Sequence, residues 1–388
     1  MKEIFKKMGL ILLGLLISFL FLEVGVRILK RDIAFQPDPK LIRSLRPDVE
    51  RKIYSFDTPE ILKNLPEQLS QKPSYIGMDY TNNIGFRMKD NIGPKKEGEK
   101  RILFLGDSFT EADGVPNDER FYYLTQELFS AGGKNSWRIL NGAIQNGSPV
   151  QYILQLREYL KIVKPDAVIV FFAPNDLTDD FNFENQYGFV FNERGFPGKP
   201  RSRAKLWILQ KSWALRYLDV FANRVSGPLH KLIWPEYLSG QIPSDWVKFL
   251  CGRDKTADEW FNKKTGRYLV EMKKMANDSG AEFGIFMINY MHIFDNEPIY
   301  KKQVNTINLD NAIKGECLGN KGQSYRDFIY KFLKDNEIWF KDSYDALVSE
   351  KIKEPRKKLW YYYDYHFSPA GHSVIADKLT EFLSEKIR

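Results

Sequence analysis

The spacing of apolar and polar positions divides the chain into unlike stretches. The first is Met8–Leu22, an uncharged apolar run preceded by Lys2, Lys6 and Lys7 and followed by Glu23, Arg27, Lys30 and Arg31. Continued to Val26 it reaches about 19 residues, within the ~17–25 that cross a bilayer as a helix. A cleaved signal peptide shares the basic start and the apolar run but closes on a small-x-small site. Glu23-Val24-Gly25-Val26-Arg27 is a poor substitute for one. The expectation for residues 1–30 is an uncleaved signal anchor, with a cleaved signal as the alternative. Both flanks are basic, so the positive-inside rule does not orient it. Export of the body is expected because N-terminal anchors usually precede an exported domain. The absence of cysteine from this stretch excludes a lipoprotein.

Residues 31–97 show little periodicity and read as a linker and lead-in, ending in the turn-rich Tyr80–Arg87 (YTNNIGFR). From residue 98 the pattern sharpens. Arg101–Leu105 is a short apolar run closed by Gly106, the mark of a buried strand. Asn117 and Asp118 can cap a helix running to Ala131. Trp137–Leu140 predicts a second strand. Pro149 opens a helix to Val163 with apolar positions at helical spacing. Asp166–Phe172 (DAVIVFF) predicts a third strand. Strand, helix, strand, helix, strand with continuous apolar strands implies a parallel sheet covered on both faces. The pattern resumes with a strand at Glu282–Asn289, a helix at Tyr325–Lys334 and a strand at Ile338–Phe340. A last helix is opened by Ser368-Pro369, an N-cap and N1 pair.

More than a hundred residues separate the third and fourth strands, where a parallel crossover needs about a dozen. An insertion of about 181–280 is therefore expected. Its stretch 204–234 is helical in pattern and rich in Leu, Trp and Arg. It reads as a helical cap on the core, or as a surface resting on lipid, since Trp207, Trp213 and Trp234 stand among Lys205, Lys211 and Arg216.

Composition narrows the classes. The chain has 388 residues, 43% hydrophobic and 28% charged. It is therefore neither wholly disordered nor a multi-spanning membrane protein. A net charge of +8 is mild at this length, and no Lys/Arg run has the density of a nucleic-acid arm. Cys251 and Cys317 are too few for a structural zinc set. One disulfide or two buried thiols fit them equally.

Three segments carry chemistry. Gly106-Asp107-Ser108-Phe109-Thr110 follows the first strand, where open α/β sheets bind ligands. Ala173-Pro174-Asn175-Asp176 follows the third, and an Asn there can donate a hydrogen bond into the same crevice. Asp364-Tyr365-His366 precedes the last helix, a pairing suited to a general base held by a carboxylate. Each alone reads as an ordinary turn. Together they place Ser, Asn and Asp/His at one edge of a sheet.

On these blocks the chain resembles the SGNH (GDSL-like) hydrolase superfamily. The resemblance covers roughly residues 98–180 and 280–388, and TNNIGFR also resembles exported bacterial members. It implies a flavodoxin-like three-layer α/β/α sandwich, here with the inserted helical subdomain and the N-terminal transmembrane helix. GDSFT is similar to the nucleophile block, which would make Ser108 the nucleophile. APND is similar to the Asn block, which would place Asn175 in the oxyanion hole, with Ala173 where Gly is usual. HFSPAGH is similar to the closing block and would make His366 the base; His372, inside the expected helix, is the alternative. Leu140–Pro149 is similar to the glycine block, whose backbone donor would fall at Asn146 or Gly147. The usual Asp-x-x-His is here Asp364-Tyr365-His366, so Asp364 would be the acid at an altered spacing.

The resemblance implies a serine esterase that forms an acyl-enzyme and needs no metal or cofactor. The expected substrate is an ester-bearing envelope glycan or lipid, with removal of O-acyl (acetyl) groups. The same site could serve an O-acetyltransferase for a cell-surface polysaccharide with a membrane acyl-donor partner. A non-catalytic glycan-binding or assembly protein is the reading from another class. No nucleic-acid partner is expected.

Overall fold

A computed structural model describes residues 2–29, 34–55, 74–112, 114–134, 136–225, 255–289, 322–361 and 366–387. The chain opens with helix α1 (Lys2–Leu29), none of whose residues is buried. Among the described residues it is the one helix long and apolar enough to cross a membrane. By length and composition it serves equally as an anchor or as a signal sequence.

The lead-in, expected as a linker, is ordered into two antiparallel pairs. Strand β1 (Phe35–Asp38) pairs with β2 (Ile42–Leu45), and β3 (Glu50–Ser55) with β4 (Ser74–Tyr80). These strands are short and studded with charges, and carry no periodic signal. Side-chain hydrogen bonds hold them instead. The Thr81 hydroxyl donates to the Arg46 carbonyl at 2.5 Å and accepts from the Val49 N–H at 2.9 Å. The Asn82 carboxamide oxygen accepts from the N–H groups of Ile84 and Phe86. Gly85 stands at φ +81°, and a Cβ there would collide with the Leu45 carbonyl oxygen. This turn therefore admits only glycine. The TNNIGFR stretch is thus a built corner against the sheet.

The core follows. Strand β5 (Lys100–Leu105) leads into the single-turn helix α2 (Ser108–Glu111), then α3 (Phe121–Ala131), β6 (Trp137–Asn141), α4 (Pro149–Val163) and β7 (Ala167–Phe172). Next come α5 (Asp176–Tyr187), the hairpin β8 (Phe189–Phe191) and β9 (Pro197–Pro200), α6 (Arg203–Lys211) and α7 (Trp213–Val225). The last described elements are α8 (Lys255–Lys263), α9 (Thr265–Asp278), β10 (Glu282–Met287), α10 (Gly322–Asp335), β11 (Trp339–Asp342), α11 (Tyr344–Lys353) and α12 (Pro369–Lys386).

Five strands form one sheet in the order β11-β10-β7-β5-β6, with every neighbouring pair parallel. In chain order this is 2-1-3-4-5, the doubly wound flavodoxin-like arrangement. Helices α3 and α12 pack together on one face and α4 and α9 on the other, giving the three-layer α/β/α sandwich expected from the sequence. Every residue of β7 is buried, and each large one contributes about 1.5–3 kcal/mol on leaving water. Helix α9, at the end of the expected insertion, packs against α4 and β10 and supplies Tyr268, Leu269 and Met272 to the common core.

One element departs from expectation. Asn117–Glu119 forms a 3₁₀ turn, and α3 begins only at Phe121, after an extended Arg120 with φ −77° and ψ 139°. The break aims the buried Arg120 guanidinium at Asp79, 2.9 Å away, and at the Val115 carbonyl, 3.0 Å away. A continuous helix from Asn117 would not permit this aim.

Candidate active site

The order of the sheet reverses between β5 and β7, and ligands bind outside the carboxyl ends of such strands. Ser108 follows β5 and Asn175 follows β7. Gly106 makes the turn into α2 possible: a Cβ would collide with Thr110 Oγ1 and lie 3.1 Å from Phe171 Cβ. Asp107 caps α2, its Oδ1 accepting from the Phe109 N–H at 3.0 Å. Helix α2 ends after one turn at Ala112, which is left-handed at φ 60°. Ser108 therefore stands on a short, tightly held turn, 9% exposed.

His366 arrives from the other end of the chain. Its Nε2 lies 2.8 Å from Ser108 Oγ. Phe109 packs on the ring at 4.8 Å between centroids. The His366 carbonyl accepts from the Tyr361 N–H at 2.8 Å. Two residues on, Ser368 caps α12, its Oγ accepting from the Gly371 N–H while donating to the Lys358 carbonyl. The ring is thus positioned by a helix cap and a backbone tie. Asp364 lies outside the described residues, as do Cys251 and Cys317. His372 is a core residue: it is buried, accepts from the Phe121 N–H at 3.4 Å and stacks on the Phe121 ring. Burial, helped by the Arg120 charge, depresses its pKa to about 3, because the low-dielectric interior disfavours the charged ring.

The stretch after β6 closes the third side of the crevice. The Ile144 N–H donates to the Gly106 carbonyl at 3.0 Å, which sets this loop against the turn that carries Ser108. Asn146 is left-handed at φ 52°, a conformation Asn tolerates better than most residues. The Gly147 N–H is engaged inside the turn, donating to the Ile144 carbonyl at 2.9 Å. Two further contacts pin the loop. Arg43 of β2 donates to the Asn146 carbonyl at 2.5 Å, and the Gln145 N–H donates to Glu111 of α2. Glu111 is also paired with the buried Arg87 of the lead-in corner.

Asn175 begins α5 with its side chain turned toward Asp107. Its Nδ2 donates to Asp107 Oδ2 at 3.1 Å and to Asp179 Oδ2 at 2.7 Å. Two more carboxyls are gathered here. Asp176 accepts from the Tyr152 hydroxyl at 2.7 Å and the Ala173 N–H at 2.8 Å. Asp180 accepts from the Val150 N–H at 2.7 Å and the Thr265 hydroxyl at 2.6 Å. Burial raises all of them. Asp107 and Asp176 are shifted upward, Asp179 reaches about 7 and Asp180 about 8. For Asp179 burial is the largest cause, opposed by the Asn175 hydrogen bond and reinforced by the Asp107 charge.

The structure thus brings together Ser108, His366, Asn175 and the loop carrying Asn146 and Gly147. Arg43, Glu111 and Asp179 were not foreseen as parts of the site. Arg43 sits in a short strand with no periodicity, and no sequence signal marks it. Glu111 and Asp179 stand three positions after Ser108 and four after Asn175, so helical spacing was the available clue.

A sheet of this order with a Ser–His pair at its reversal point defines a hydrolase of the α/β/α type. Residues 102–379 match the family described as GDSL-like Lipase/Acylhydrolase. The chain belongs to this family of SGNH hydrolases and is an ester-hydrolysing enzyme. No curated protein matches the chain significantly. Among solved structures, the chain is similar to the acetyl xylan esterase AlAXEase, at 15% identity over 74% of this chain and 100% of that one, with a TM-score of 0.40. It is similar to the esterase EstA from Pseudoalteromonas sp., at 13% identity over 74% and 98%, TM-score 0.37. It is also similar to the lipase/acylhydrolase from Enterococcus faecalis, at 12% identity over 74% and 97%, TM-score 0.39. With scores this low, the family assignment rests on the match over residues 102–379.

Proposed function

We propose that the protein is a membrane-anchored serine esterase with an exported catalytic domain, removing O-acyl groups, acetyl foremost, from an envelope glycan or lipid. The observation that carries this reading is the 2.8 Å contact between His366 Nε2 and Ser108 Oγ at the switch point of the sheet. In this reading Ser108 Oγ attacks the ester carbonyl carbon as its proton passes to His366 Nε2. The imidazolium then gives that proton to the departing alcohol, leaving Ser108 acylated. Water, deprotonated by the same nitrogen, releases the carboxylic acid and restores the serine. Asp364 holds the imidazole through its other nitrogen.

The oxyanion faces the Ser108 and Asn146 N–H groups and the Asn175 carboxamide, which releases its longer hydrogen bond to Asp107 to donate there. The Gly147 N–H is engaged with Ile144, which favours Asn146 as the loop's donor. The anchor reading is supported by Glu23, whose carboxylate accepts from the Trp213 and Ala214 N–H groups of α7. Cleavage of a signal before the body would remove that partner.

The test is p-nitrophenyl acetate and butyrate hydrolysis by the full chain in detergent, beside Ser108→Ala and His366→Ala. Loss of turnover in both variants, with unchanged circular dichroism, is the expected result. Equal turnover in all three would sink the Ser–His assignment and leave the binding or assembly reading in front. Preference for acetate over butyrate would separate a deacetylase from a lipase.

A further inference from the structure

Where the anchor helix leaves its apolar run it is gripped by the helices of the insertion. Glu23 Oε1 accepts from the Trp213 N–H at 3.0 Å, and Oε2 from the Ala214 N–H at 2.9 Å and the Ser212 hydroxyl at 2.8 Å. These are first-turn N–H groups of α7, which have no partner within their own helix. A carboxylate there also meets the positive end of the helix dipole. Arg27 orients Glu23 at 2.7 Å and donates to the Lys211 carbonyl, the last residue of α6, at 2.7 Å. Trp213 is in turn held between the Arg46 and Arg216 guanidiniums, 4.4 and 4.9 Å from its ring centroid. The anchor is therefore fastened to the body.

This fastening fixes the height of α6 above the membrane. From Lys7 to Arg27 the helix rises ~30 Å at about 1.5 Å per residue. With Lys7 at one face of a hydrocarbon layer ~30 Å thick, Arg27, bonded to the Lys211 carbonyl, comes to the boundary of the other, and Glu23 lies one turn below it. The corner joining α6 to α7 lies at that boundary. The outward stripe of α6 is Arg203, Ala204, Trp207, Ile208 and Lys211, all exposed. Trp207 is 55% and Ile208 40% exposed, and Leu218 of α7 is 49% exposed. A tryptophan and an aliphatic between two cations, with no acid in the stripe, is the pattern of a helix lying in a headgroup layer. The stripe meets α1 where Arg27 donates to the Lys211 carbonyl, and Ile28 and Leu29, next along α1, are exposed.

We infer that α6 rests on the anionic headgroups of the leaflet from which α1 emerges, so that the anchor and α6 together set the catalytic domain at one orientation on the membrane. This inference rests on the anchor reading above. The occupant is a bilayer because the patch is continuous with the spanning helix and its charges complement acidic lipid. A long flexible tether would leave the domain free to tumble. The clamp at Glu23 removes that freedom.

The test uses the full chain reconstituted in phosphatidylcholine vesicles containing phosphatidylglycerol, with either lipid brominated as a fluorescence quencher. Part of the tryptophan emission is expected to be quenched, and Trp207→Phe is expected to remove most of that part. Exchange of phosphatidylglycerol for phosphatidylcholine, or Arg203→Glu with Lys211→Glu, is expected to lower the quenching severalfold. Glu23→Ala is expected to do the same while leaving the protein in the membrane. An equal quenched fraction in wild type and Trp207→Phe would overturn the inference, whether α6 faces water or a second copy. An alkaline carbonate wash separates the two readings. A chain that washes off, shortened at its N-terminus, refutes the anchor. A chain that stays, with Trp207 unquenched, refutes only the surface.

Discussion

The carboxyl of Asp179 gives the site a pH limit with a definite sign. Asp179 shares the Asn175 amide nitrogen with Asp107, at 2.7 and 3.1 Å. An oxyanion can accept from that nitrogen only by taking the N–H now given to Asp107; it would then stand about 5 Å from the Asp179 carboxylate, and two unit negative charges at that distance repel by about 3 kcal/mol at an effective dielectric constant near 20. Solvent at the partly exposed side of Asp179 reduces this to roughly 1–2 kcal/mol, on the order of tenfold in kcat. Burial holds the group protonated up to about 7. Its charge, and with it the repulsion, thus appears as the pH rises through that value. The assay is kcat for p-nitrophenyl acetate across the range from mildly acidic to mildly alkaline pH, corrected with Ser108→Ala. Wild-type kcat is expected to fall about tenfold as the pH rises through ~7. Asp179→Asn keeps an oxygen to accept the Asn175 hydrogen bond but cannot ionise. It is expected to lose this fall. A falling limb of equal size and midpoint in both enzymes would refute the reasoning.

Three other outcomes follow from the geometry. Arg43→Ala removes the charged donor to the Asn146 carbonyl, a bond worth about 1.5–3 kcal/mol; kcat is expected to drop roughly ten- to hundredfold with KM little changed, read by steady-state kinetics. Asp79 lies against Arg51, Arg87 and Arg120 at 3.0, 3.3 and 2.9 Å. Asp79→Asn leaves buried guanidiniums poorly compensated, so urea unfolding is expected to show a loss of about 3–5 kcal/mol, and a loss below ~1 kcal/mol would mean the cluster does not depend on it. Asp180 is raised from 3.8 to about 8, so the folded state holds a proton that the unfolded chain gives up. Its contribution is full below pH ~4 and disappears as pH rises toward ~8. The thermal midpoint of Asp180→Asn is therefore expected to fall less than that of wild type as the pH is raised through that window.

How much of this was legible in the sequence depends on where each residue finds its partners. Strands β5 and β7 announced themselves because both faces are covered, so every position from Ile102 to Leu105 and from Ala167 to Phe172 is apolar. Ser108, Asn175 and His366 were legible because each closes a buried strand or opens a capped helix, and local chemistry marks such places. Arg120 was misread as part of a helix, since its reason for being extended is Asp79, far back in the chain. Arg43 was invisible for the same reason, its acceptor being the Asn146 carbonyl across the fold. Spacing leaves Asn146 and Gly147 equal as the proposed loop donor, because the hydrogen bond from the Gly147 N–H to the Ile144 carbonyl leaves no mark in the sequence. Glu23 was read as a boundary mark of the apolar run; nothing near it in the chain shows that it caps a helix from the distant insertion.

These long-range contacts are consecutive. Glu23 caps α7 at Trp213, and Trp213 stacks against Arg46. Arg46 ends the β2 hairpin, where its N–H donates to the Ala34 carbonyl. Earlier in the same hairpin Arg43 holds the Asn146 carbonyl, and Gln151 of α4 donates to the Leu41 and Arg43 carbonyls. The lead-in therefore joins α1 to the loop beside Ser108 through an unbroken run of contacts. Its short, unpatterned strands are explained by that task, since each carries one or two charged side chains to a fixed point rather than an apolar face to a core. If α1 is the proposed anchor, an enzyme whose loop beside Ser108 is built onto it should resist its substitution by an unrelated spanning helix. Such a chimera keeps the membrane and the whole Ser–His pair but loses Glu23 and Arg27. It would lower kcat toward soluble esters if the chain of contacts matters to the loop, and leave it unchanged if the anchor is only a tether.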